Sequence, residues 1–216
     1  LFLYKSRGGY LELPNSEIEI KTIDDFLQNK NWNSTMFSWD QANEYNLKSI
    51  LSPRLLHIAT HGEYENSKVK SVSQINKSGL LNGALILAGA DFYRKNKNKN
   101  INGGIFTGYE ASLLNLKNTE LVVLSACNTA AGEQFSSQGV VGLQRGFLYA
   151  GAENIIISLW PIDDVFASYF MEKFYYYWIM KDYSIQDSFR KTQLDMLKSN
   201  NYSDPIYWGA FILLNK

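Results

Sequence analysis

The sequence predicts an α/β fold with a mostly parallel central sheet and helices on both faces, and three observations lead there. The runs TELVVLSA (119–126) and ENIIISLW (153–160) are continuous, apolar and rich in β-branched residues, as strands buried on both faces are. A third buried-type run, RLLHIA, spans residues 54–59. The first two are each followed by a turn and a stretch of helical spacing, Gly139 to Tyr149 and Asp164 to Met180. Helices alternating with buried strands imply a doubly wound sandwich with right-handed crossovers.

The remaining elements follow in order. From Ser16 to Gln28, apolar residues recur at Ile20, Ile23, Phe26 and Leu27. Ser16 with Glu19 three residues on has the form of a capping box, so an amphipathic helix opening at Ser16 is expected. STMFS (34–38) is a short strand candidate, and DQANEYNLKSIL (40–51) is expected to be helical up to the stop at Pro53. GALILAGADFY (83–93) is a further strand candidate, and RKNKNKNIN (94–102) reads as a solvated loop. Ser184 to Lys198 is a last long helix, and YWGAFILL (207–214) a last strand.

Composition narrows the function classes. With 216 residues, 45% of them hydrophobic, the chain can bury a substantial core, and a single domain over 1–216 is expected. Lys and Arg number 21 and Asp and Glu 21, so no field of one sign points to nucleic acid or to a membrane surface. No apolar run approaches the roughly 18 residues of a membrane helix, and the amino terminus lacks a signal-peptide pattern. One cysteine forms no internal disulfide, which favours a reducing compartment and a cytoplasmic location. Two histidines and one cysteine do not make a dedicated zinc site, and no Walker loop or Gly-x-Ser-x-Gly elbow is present. No cofactor is expected.

In an open α/β sheet, functional groups gather at the carboxyl ends of the strands. His61 in ATHG follows RLLHIA by one residue, and Cys127 follows LVVLSA directly. On adjacent parallel strands, about 4.8 Å apart, both would open on one cleft. A thiolate is a good nucleophile, and a nearby histidine stabilises it or protonates a leaving amine. The backbone N–H groups of Gly62 and Cys127 are the candidate oxyanion donors, Gly62 because the absence of a Cβ lets substrate approach the chain closely. Against this, a lone cysteine after an apolar run is ordinarily a buried small hydrophobe. His57, inside its strand among Leu55, Leu56 and Ile58, is read as a structural histidine.

LLHIATHG, GALILAGAD, LVVLSACNT, GVVGLQRGFLYAGAENIIISLWPIDD and YWGAFILL, in this order, resemble CHAT domains, the caspase-like clan CD cysteine peptidases related to separase. The resemblance covers residues 13–214, LPNSEIEI included. It implies a caspase-like three-layer sandwich and a cysteine endopeptidase with a His61–Cys127 dyad, cutting a specific protein substrate. In that clan the histidine serves the leaving group more than it holds the thiol. The resemblance also implies the carboxyl-terminal catalytic part of a longer chain, beginning here at Leu1, controlled by an amino-terminal region or by a partner protein.

SLWPIDD places Asp163 and Asp164 where separase-like enzymes carry an acid that binds a P1 arginine, so a basic P1 residue is expected. Acids before a helix are equally ordinary caps. Gly139, Gly142 and Gly146 recur at helical spacing and are read as a close-packing face, while Arg145 receives no role. The loop from Asn128 to Gln138 is expected to shape the substrate cleft and to switch activity by ordering. Two alternatives stay open: a non-catalytic CHAT scaffold mediating protein interactions, and a cysteine hydrolase or transferase acting on a small molecule.

Overall fold

The computed structural model describes residues 1–3, 13–64, 79–91, 103–127 and 137–216, with the backbone alone at 64, 126, 127, 137 and 138. The two central runs form β6, Leu121–Cys127, and β7, Asn154–Ser158, and RLLHIA opens β3, Leu55–Tyr64. These three lie side by side and parallel, β3 to β6 to β7. The sheet continues on one side through β1, Phe2–Leu3, to β2, Phe37–Ser38, both parallel, and on the other ends at β8, Phe211–Asn215, antiparallel to β7. The upper half of β3 carries an antiparallel hairpin, β4, Gly83–Ile86, and β5, Ile105–Thr107.

Strand residues alternate between two cores because side chains face opposite ways every second position. Ala59, Leu121 and Val123 pack against α1, Pro14–Asn29, α5, Asp164–Tyr175, and α6, Ile185–Lys198. Leu56, Ile58, Val122 and Leu124 pack on the other side with α2, Glu44–Lys48, α3, Gly108–Ala111, and α4, Ser137–Ala150. Helices thus cover both faces of a sheet that is parallel in its centre, the three-layer sandwich that was expected. A short α7, Pro205–Trp208, precedes β8.

Three elements differ from their expected form. The first helix opens at Pro14, not at Ser16, because proline suits the first helical position. Ser16 and Glu19 are buried instead, drawn inward by tertiary partners. The second helix is only Glu44–Lys48: the Asn43 side chain accepts from the Asn46 N–H and starts it there, and Trp39–Gln41 forms a 3₁₀ turn. The stretch Asp164 to Met180 is helical throughout but widens to a π-helix over Tyr176–Met180. The loop at 94–102 and residues 128–136 lie outside the described residues.

Candidate active site

β3 does not stop at Ala59. Its residues His61 to Tyr64 pair with β4, which extends the strand, so His61 lies within β3 and not beyond its end. Cys127 is the last residue of β6, and His61 is its direct register partner, the end of an unbroken ladder that begins with Leu55 and Leu121. The two backbones therefore stand one strand spacing apart, about 4.8 Å. His61 is also the register partner of Ile86, so strands flank it on both sides, and its side chain is 1% exposed. The neighbouring Thr60 hydroxyl donates to the Ile86 carbonyl. Gly62 follows within β3, opposite Leu85.

The loop after β7 rises beside this pair. The last β6–β7 register pair is Leu124 with Ile157, so residues 159–163 leave the sheet at the height of Cys127. Both aspartates at its end have partners. Asp163 is exposed and caps α5, its Oδ1 accepting from the Phe166 N–H at 2.8 Å. Asp164, half-buried, reaches across to α1, where Oδ2 accepts from the Asn15 N–H at 2.6 Å and Oδ1 from the Ser16 hydroxyl at 2.9 Å. Asp164→Ala is therefore expected to cost about 1–2 kcal/mol, because the amino end of α1 loses an acceptor, and Asp163→Ala about 1 kcal/mol, the ordinary value of a cap. Urea midpoints of the two variants measure both.

His57 is fully buried, with Nδ1 3.0 Å from the Tyr175 hydroxyl and Nε2 2.8 Å from Glu19 Oε1. Sequence reasoning passed over Glu19 and Tyr175. The signal available for Glu19 was a carboxylate inside the apolar stripe of Ile20, Ile23 and Leu27. Arg145 is exposed on α4. Among the described residues no group of three or more His, Cys, Asp or Glu could hold a metal ion, and no helix is long and apolar enough to cross a membrane.

A parallel-centred α/β sandwich that seats a histidine and a cysteine at register-paired positions has the caspase-like architecture. The chain belongs to the CHAT domain family, whose model matches residues 3–216. It is similar to tetratricopeptide repeat protein 28 of Mus musculus, 31% identical over 105 residues, and of Homo sapiens, 25% identical over 104 residues. Each alignment covers 48% of this chain and 4% of the relative's length.

Proposed function

We propose that the chain is a cysteine endopeptidase in which Cys127 attacks the scissile carbonyl and His61 protonates the leaving amine, on a specific protein substrate. The observation that carries this reading is the register of His61 with Cys127 at the carboxyl end of the β3–β6 ladder. In the reaction the thiolate sulfur bonds to the carbonyl carbon, the C–N bond breaks as the amine takes a proton from His61, and water then hydrolyses the thioester. Backbone N–H groups at Gly62 and Cys127 would stabilise the oxyanion.

A basic P1 residue fits this site best through Asp163. Its Oδ1 serves the α5 cap, which leaves Oδ2 for a cation, whereas both oxygens of Asp164 serve α1. A charge-assisted bond in a partly dry pocket outweighs an exposed ion pair. An unchanged P1 preference in a peptide library after Asp163→Ala would remove it from the pocket. The name of the similar mouse and human proteins supports placing this domain in a longer chain with tetratricopeptide repeats that present substrate or partner proteins.

The deciding experiment incubates the full-length protein, wild type and Cys127→Ala, with candidate proteins encoded nearby and searches for cleavage products by mass spectrometry. A fragment made only by the wild type is expected, and its new end reports P1. A fragment made equally by both excludes the mechanism and leaves the scaffold reading.

A further inference from the structure

Under the level of His61 and Cys127 lies a buried polar unit that the proposed mechanism does not use. Glu19 is 1% exposed, and His57, Tyr175 and Ser125 are buried with it. The Ser125 hydroxyl donates to Glu19 Oε2 at 3.3 Å, His57 Nε2 stands 2.8 Å from Glu19 Oε1, and His57 Nδ1 is 3.0 Å from the Tyr175 oxygen. The Nε2–Oε1 approach is close but off the line that a hydrogen bond needs. Four elements meet here: α1, β3, β6 and α5.

A proton inventory fixes the charge. Burial, and after it the Glu19 charge, push the Tyr175 phenol well above its ordinary range, so the hydroxyl keeps its proton. Its hydrogen-bond partner among the described residues is His57 Nδ1, which must then accept. His57 accordingly carries its own proton on Nε2, toward Glu19. With Ser125 donating to the other oxygen, Glu19 is the acceptor for both and is a carboxylate. The unit holds one negative charge, and among the described residues no Lys or Arg pairs with it. Apolar side chains of similar volume serve stability as well as or better than a buried charge, so packing does not account for it.

Its position does. Ser125 is two residues before Cys127 and pairs with Ala59, itself two residues before His61. Strand faces repeat every two residues, so the unit occupies the layers directly beneath positions 61 and 127 on the α1 and α5 side of the sheet. We propose that Glu19 is a positioning residue for the His61–Cys127 pair: its carboxylate, shared between β6 and β3 beneath that pair, fixes the height of one strand against the other and sets a permanent negative charge under the site. This inference rests on the dyad reading above.

A negative charge on the order of 10 Å below raises the proton affinity of both an imidazole and a thiol. Removing it should move the pH profile of the site down by about one unit. The groups facing Glu19 are His57 from β3, Ser125 from β6 and, through His57, Tyr175 from α5; Asp164 stands at the amino end of α1 and is unchanged in every variant.

The chain has one cysteine, so the pH dependence of its alkylation by iodoacetamide reports Cys127 alone. Circular dichroism and thermal melts establish the fold of each variant. Glu19→Gln should lower the apparent thiol pKa by about one unit, and Glu19→Asp, which keeps the charge, should stay near the wild type. Tyr175→Phe removes the donor that keeps His57 neutral and should move the profile part of the way in the same direction. A folded Glu19→Gln with the wild-type profile overturns the proposal, and if that variant does not fold, a folded Tyr175→Phe with the wild-type profile does so. His61→Gln separates the two readings. A profile it leaves alone removes the dyad, whereas a profile that it moves and Glu19→Gln does not removes only the role of Glu19.

Discussion

Replacing Gly142 by alanine is expected to destabilise the fold by about 3 kcal/mol and to lower the melting temperature by about 6–12 °C. A Cβ on Gly142 would stand 2.1 Å from the carbonyl oxygen of Gly79, and one on Gly146 2.1 Å from that of Gly108. The atoms in the way are backbone, so no side chain can swing aside. The helix would have to lift from the strands it covers. Gly83, at the start of β4, meets the Gly139 carbonyl in the same manner, so α4 lies on the β4 hairpin through bare main chain. Since Ile86 of β4 is a register partner of His61, the displacement should reach the site as well as the stability. Val141→Ala, on the exposed side of α4, is the control and should cost less than about 0.5 kcal/mol. Equal denaturation midpoints for the two variants would refute the close approach.

Glu44→Ala is expected to cost about 2–3 kcal/mol, through a different mechanism. The Glu44 side chain is 2% exposed and accepts from the Gly104 N–H at 2.6 Å and from Lys48 Nζ at 2.6 Å. Lys48 also holds Glu110 at 2.9 Å, so alanine leaves the lysine paired but the buried Gly104 N–H without its acceptor. Burial pushes the Glu44 carboxyl above its ordinary value of 4.5, and the bond from Lys48 offsets this only in part. The folded state therefore binds this proton more tightly than the unfolded state. The resulting stability is full below pH 4.5 and is lost as pH rises through the raised folded value. Glu44→Gln titrates nowhere in that window, so a plot of urea midpoint against pH should lose this part of its slope. A slope identical to the wild type would show that Glu44 is not the group responsible.

The parts of this molecule that sequence made legible are those set by local pattern. The runs around Val122 and Ile156 announce strands because they are buried on both faces and nothing else in a short apolar stretch competes. His61 and Cys127 stood out because each sits where such a strand gives way to small residues. The glycines of α4 showed their spacing directly. What was misread depends on partners far along the chain. His61 was placed beyond its strand because the pairing that prolongs β3 comes from β4, which no local signal announces. Ser16 and Glu19 have the look of a cap, yet Ser16 bonds to Asp164, 148 residues away, and Glu19 to Ser125, 106 residues away. Tyr175 meets His57 across 118 residues. Buried polar contacts of this kind are specified by the finished fold, so a sequence shows their members only as single oddities.

The unbroken ladder from Leu55–Leu121 to His61–Cys127 has one more consequence. The two reactive positions are spaced by main-chain hydrogen bonds, which any pair of residues at 61 and 127 would make equally well. Reactivity is thus severable from shape: a descendant that lost the thiol or the imidazole would inherit the same cleft, the same surface and the same neighbours. Such a frame can trade cutting for holding through a single codon.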